Sequence, residues 1–149
     1  MLAVSSQQDA GLFHGDLKSD NVLIHTDEHG EHDATLIDLG LSERIPRDGS
    51  ELSPSSRYVI EDFEENKKAF PHVAPEILLN RSGDTCATEM FAIGYIFKEV
   101  GLAFGMPRLG RLAEICQDFE PDERPPLMVL PWAMNDIKIL EVFTLFTKL

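Results

Sequence analysis

Hydrophobic and polar positions divide the chain into three textures. Residues 1–45 carry short apolar runs broken by polar turns. Two of these runs, NVLIH (21–25) and ATLID (34–38), are rich in β-branched residues. Between them the polar stretch from Thr26 to Asp33 offers Gly30 as a turn point, so the pattern predicts a β-hairpin with a longer loop than the two-residue type. Residues 43–72 are charged, rich in Ser and Pro and weakly periodic, which predicts a long surface loop. From Ala74 onward the pattern turns helical. TEMFAIGYIFKEV (88–100) is apolar on nearly every side and predicts a buried helix, capped by Thr85 or Thr88 and ended by Gly101. LGRLAEICQDF (109–119) has apolar residues at 109, 112, 113, 115, 116 and 119, the spacing of an amphipathic helix. Pro121, Pro125 and Pro126 then interrupt the chain before LMVLPWAM, and the tail DIKILEVFTLFTKL fits helix or strand. The expected fold is mainly α with a small β-hairpin, and no internal repeat appears.

Composition narrows the function. At 149 residues and 43% hydrophobic the chain is long and apolar enough for one packed domain. Its 13 Lys+Arg against 26 Asp+Glu give a formal charge of −13. Such a surface repels phosphate backbones and anionic lipid heads, which argues against nucleic-acid and membrane partners. Cys86 and Cys116 stand far apart without a CxxC or a nearby His pair, so both read as buried thiols in a reducing compartment. The N-terminal MLAVSSQQDAG lacks a basic region and an apolar run of signal-peptide type. The longest apolar stretch, Met90 to Phe97, is far short of a bilayer span. A soluble cytoplasmic protein is the expectation.

The chemistry lies in FHGDLKSDNVLI, residues 13–24. Asp16, Lys18 and Asn21 stand at spacing D-x-K-x-x-N just before the first predicted strand, and Asp38 and Gly40 close the second in IDLG. A hairpin brings the start of one strand beside the end of the other, so Asn21 and Asp38 should meet at one end of the ladder. Their side chains are hard oxygen ligands suited to Mg²⁺. Lys18 offers positive charge to a phosphoryl oxygen, and Asp16 can deprotonate an attacking hydroxyl. Phosphoryl transfer needs this set, because its catalysis is mostly positioning and charge neutralisation.

These residues carry a resemblance. HGDLKSDNVLI resembles the catalytic loop of the eukaryotic protein kinases, and IDLG resembles their Mg-binding turn with Leu39 in place of Phe. VAPEILL is similar to the motif that closes the activation segment, at Ala74, Pro75 and Glu76, and PDERPP carries the late Arg124 that pairs with that glutamate in the family. TEMFAIGYIFKEV is similar to the family's buried central helix. The resemblance implies the C-terminal lobe of a protein kinase domain over residues 1–149. Its parts would be a catalytic loop at 13–24, a Mg turn at 38–40, an activation segment at 38–76, the buried helix at 88–100 and terminal helices over 109–149. It also implies ATP and Mg²⁺ as cofactors and a protein substrate. Asp16, Lys18 and Asn21 become catalytic; Lys18, Asn21, Leu23 and Asp38 nucleotide-binding, with Leu23 as the floor of an adenine pocket; Asn21 and Asp38 the metal ligands. His14, Glu76, Glu89 and Arg124 become structural. The lysine in DLKSDN favours the serine/threonine type.

The chain also departs from that family. It contains no glycine-rich phosphate loop, no strand lysine and no helix glutamate for that lysine, so the N-terminal lobe is expected to be missing. Gly15 replaces the usual arginine before the catalytic aspartate, and Glu89 replaces an aspartate in the central helix. GLAFGMPR leaves little room for the family's substrate-docking helix. The expected function is a serine/threonine protein kinase lobe, truncated and weak or inactive alone. A non-catalytic kinase-like binding module is the alternative. A small-molecule phosphotransferase of the aminoglycoside or choline kinase type ranks third, favoured by HGD but opposed by Lys18, the APE motif and Arg124. Ser50, Ser53, Ser55, Ser56 and Tyr58 fall in the activation segment, where a solvated loop is the simpler reading. So is a solvated face for Glu61, Asp62, Glu64, Glu65, Lys67 and Lys68. Leu23 and Leu39 should be exposed on the lobe face and favour association.

Overall fold

The computed structural model describes residues 3–47, 52–54 and 62–130. Helix α1 (Ala3–Asp9) leads into strand β1 (Leu12–Phe13). Strands β2 (Val22–Thr26) and β3 (His32–Leu36) form an antiparallel hairpin with Val22 opposite Leu36 and Thr26 opposite His32. Its turn uses Gly30 at φ 78°, a left-handed conformation that glycine adopts without steric cost. Strand β4 (Glu43–Arg44) returns to pair antiparallel with β1. The rest is helical: α2 (Phe63–Ala69), α3 (Pro75–Leu78), α4 (Cys86–Ala103) and α5 (Pro107–Cys116), followed by 3₁₀ turns at Pro121–Glu123 and Leu127–Val129.

The longest element is α4, and the core is built around it. Its Met90, Ala92 and Ile93 pack with Leu17 of the loop after β1, Cys116 of α5, Val4 and Leu130. Phe91 faces a second cluster with Val73, Ala74, Ile77 and Leu78. Helices α4 and α5 approach closely at Gly94, where a Cβ would lie 2.7 Å from Cys116 Cβ. Among the described residues no helix is long and apolar enough to cross a membrane.

Several boundaries differ from the sequence expectation. The strands are shifted, so Ile37 and Asp38 lie beyond β3 and lead into the 3₁₀ turn Leu39–Leu41. The stretch 43–72 is not loop throughout: it includes β4 and α2. The latter has few apolar residues, but Asp62 caps it by accepting from the amides of Glu64 and Glu65. Thr85, not Thr88, is the N-cap of α4, in a reciprocal box with Thr88. Gly101 does not end that helix, which continues to Ala103. Helix α5 stops at Cys116, leaving Phe119 beyond it, and Ile115 is exposed. Cys116 is buried, whereas Cys86 is exposed at the first turn of α4, contrary to the pairing of both as core thiols. Ser50, Ser55, Ser56, Tyr58, Glu61 and the tail from residue 131 lie outside the described residues.

Candidate functional site: a carboxylate-centred loop over the central helix

The loop after β1 is held from below by α4. Glu89, buried in the first turns of that helix, accepts from the backbone amide of His14 and, at 2.7 Å, from Gln8 Nε2. Burial pushes the Glu89 carboxyl above its ordinary value; the hydrogen bonds from Gln8, His14 and Gly15 act against that push without cancelling it. Gly15 sits at φ 77°. The loop therefore turns through a left-handed residue where the kinases carry arginine, a conformation that favours glycine.

His14 is fully buried and ties three segments together. Its Nδ1 accepts from the Asp16 amide at 3.4 Å, so in the neutral ring the proton resides on Nε2, which donates to the Ile37 carbonyl at 3.0 Å. Its own carbonyl accepts from Ser42 Oγ at 3.1 Å. The loop after β1, the hairpin exit and the approach to β4 are thus fixed to one residue.

Asp16 is the centre of the cluster. Lys18 Nζ lies 2.7 Å from Oδ2. Asn21 Nδ2 donates to the Asp16 carbonyl at 2.7 Å and to Oδ2 at 3.2 Å. His72 Nε2 lies 3.0 Å from Oδ1. Burial works against the charged carboxylate, but the hydrogen bonds and charges of Lys18 and His72 outweigh it and hold the Asp16 carboxyl below its ordinary value.

Asn21 and Asp38 stand at the same end of the hairpin. The Ile37 amide donates to the Asn21 carbonyl at 3.0 Å, continuing the β2–β3 ladder by one rung. Asp38 follows at φ 61°, ψ 66°, and its Oδ1 accepts from the Gly40 amide at 3.4 Å. Left-handed backbone at a non-glycine residue is uncommon and costs energy, so the turn aims this side chain at a conformational cost. Because Asn21 donates through Nδ2, its Oδ1 remains free of hydrogen bonds among the described residues, as does Asp38 Oδ2. Two hard oxygens at one ladder end fit Mg²⁺, which takes few protein ligands beside phosphate and water.

Leu23 on β2 is 53% exposed, and Leu39 and Leu41 of the 3₁₀ turn after Asp38 are exposed as well. Glu76 and Arg124 meet in a buried bidentate pair. Asp16, Lys18 and Asn21 bond one another, while the Asp38 side chain bonds the Gly40 amide at the same hairpin end, where the neighbouring Ile37 amide meets the Asn21 carbonyl. The sequence reading missed Gln8, Ser42 and His72, whose partners lie 81, 28 and 56 residues away in the chain. Nothing local in the sequence marks those contacts.

The protein kinase domain family matches residues 1–108, and the chain belongs to that family. It is similar to the serine/threonine-protein kinase zyg-8 of Caenorhabditis elegans, 33% identical over 94 residues, which covers 63% of this chain and 10% of that protein. It is also similar to the probable serine/threonine-protein kinase fnkE of Dictyostelium discoideum, 29% identical over 92 residues, covering 62% of this chain and 6% of that protein. The chain therefore spans a tenth or less of these relatives.

Proposed function

We propose that this chain carries the catalytic-loop and metal-turn part of a serine/threonine-type protein kinase site, corresponding to the C-terminal lobe. In this reading Asn21 Oδ1 and Asp38 would hold Mg²⁺, which when bound would supply positive charge for the nucleotide phosphates. Asp16 orients the acceptor hydroxyl of a protein substrate and takes its proton. Lys18, held against Asp16, supplies the positive charge closest to that carboxylate. Leu23 forms the apolar floor under the adenine, and His14, Glu89, Glu76 and Arg124 keep the loop in place.

The observation that carries the reading is the meeting of Asn21 and Asp38 at one ladder end, with Asn21 bonded directly to Asp16. Metal ligands and a proton acceptor close together are what in-line phosphoryl transfer needs, and this proximity supports the reading.

The chain's own residues include no glycine-rich phosphate loop and no strand lysine to close the cleft from the other side. The 149-residue chain by itself therefore binds MgATP weakly and is weak or inactive in transfer. Calorimetric titration with MgATP tests this. Binding weaker than micromolar is expected, and micromolar binding by this chain would overturn the dependence on a second wall.

A further inference from the structure

His72 belongs to no motif singled out from the sequence, yet it bonds the carboxylate at the centre of the site. It lies in the connection between α2 and α3, two residues before Ala74, and its side chain is nearly buried. Both oxygens of Asp16 are engaged, Oδ2 by Lys18 and Asn21 and Oδ1 by His72 alone among the described residues. The carboxyl is held below its ordinary value and is ionised at neutral pH, so it accepts only, and the His72 Nε2 must carry the proton and donate. The same small cavity is lined by Gly15, Asp16, His72, Asp84 and Glu89. The Tyr95 ring lies 6.2 Å from the imidazole, and it packs beside the ring without a hydrogen bond to it.

A carboxylate that takes a proton from a hydroxyl must receive that hydroxyl on one of its oxygens. Oδ2 is shared by an ammonium and an amide, whereas Oδ1 has the single partner His72 among the described residues. We propose that His72 is a positioning residue of this site: it holds Asp16 Oδ1, and an acceptor hydroxyl reaches the carboxylate by displacing the imidazole. His72 stands in the short connection just before α3, so its ring covers the acceptor side of Asp16 from that connection. The inference rests on the phosphotransfer reading for the identity of the acceptor. The contact itself stands apart from that reading.

The test is nuclear magnetic resonance of the 149-residue chain with ¹⁵N-labelled histidine. A protected Nε2 proton on His72 is expected in the unsubstituted chain, lost in Asp16→Ala and retained in Lys18→Met. Dephosphorylated casein, a serine-rich acceptor protein, is expected to remove the signal when added at high concentration. Absence of the protected proton in the unsubstituted chain overturns the proposal without any variant having to fold. Survival of the signal in Asp16→Ala overturns the assigned partner, and survival in the presence of casein overturns the displacement. A protected proton combined with micromolar MgATP binding would leave His72 in its role and refute the weak-binding reading, so the two fail separately.

Discussion

Glu76 of α3 and Arg124, 48 residues apart in the chain, join through two hydrogen bonds of 2.6 and 2.8 Å in a nearly solvent-free site. The remaining donors of Arg124 reach the carbonyls of Ala87, Asp118 and Phe119, and its guanidinium stacks 5.0 Å above the Phe91 ring. One side chain thereby clamps α3, α4 and the connection after α5. Removing either partner strands a buried charge, which costs about 3–5 kcal/mol. Arg124→Ala and Glu76→Ala are expected to lower urea-unfolding stability by that order. Arg124→Lys should recover little of it, since an ammonium cannot reproduce the planar fork. A loss under about 1 kcal/mol in both alanine variants would show the clamp to be unimportant.

Half-buried Asp16 and buried Glu89 should tilt the stability profile in opposite directions. The folded-state value of Asp16 lies below its ordinary 3.8, so its contribution is present above that pH and is lost as pH falls through the folded value. The folded-state value of Glu89 lies above its ordinary 4.5, so its contribution is full below that pH and is lost as pH rises through the folded value. Unfolding free energies across roughly pH 3 to 7 check this. The gap between the unsubstituted chain and Asp16→Asn should shrink on acidification, and the gap to Glu89→Gln should shrink as pH rises. Parallel profiles for the two variants would contradict the assignment.

Glycines in the paired helices should respond with opposite signs. A Cβ at Gly94 would lie 2.7 Å from Cys116 Cβ and from Gln117 Cγ, so Gly94→Ala must push α4 and α5 apart. Overpacking of that kind costs about 1–3 kcal/mol, more than the helix propensity gained. At Gly110, in α5, a Cβ would meet nothing within 4 Å. Gly110→Ala is expected to stabilise by about 0.5–1 kcal/mol. Thermal unfolding of both variants separates the two outcomes.

Asp38 sits in left-handed backbone at φ 61°, with one weak hydrogen bond to the Gly40 amide. Asp38→Gly should relieve the conformational cost and raise stability by about 1 kcal/mol, whereas Asp38→Ala should lower it. Both remove the carboxylate and with it the proposed metal ligand. Stability gained together with metal binding lost is the signature expected of a residue retained for its ligand role. Equal destabilisation by both substitutions would count against it.

The Asp16 cluster was legible because it is local: Asp16, Lys18 and Asn21 lie within six residues, and the hairpin register puts Asp38 at the same end. The buried helix was legible from its continuous apolar run. Its end was not, because Gly101 acts as a packing glycine. A Cβ there would lie 3.2 Å from the Gly110 amide nitrogen, and its own carbonyl accepts from the Met106 amide where the chain turns into α5. Helix α2 escaped notice because charged residues dominate it, and only its Asp62 cap signals the start. His72 and Gln8 act through contacts made by tertiary folding, which no local pattern encodes.

The central claim is that Asn21 and Asp38 together hold the metal of a metal–nucleotide complex. Titrating the ¹⁵N-labelled chain with Mn²⁺–ATP and following paramagnetic broadening tests it most directly, since broadening falls steeply with distance from the ion. The account predicts early, selective broadening of the Asn21 side-chain amide and of the Asp38–Gly40 backbone amides, abolished in Asp38→Ala. Broadening centred elsewhere, or unchanged in that variant, would contradict it.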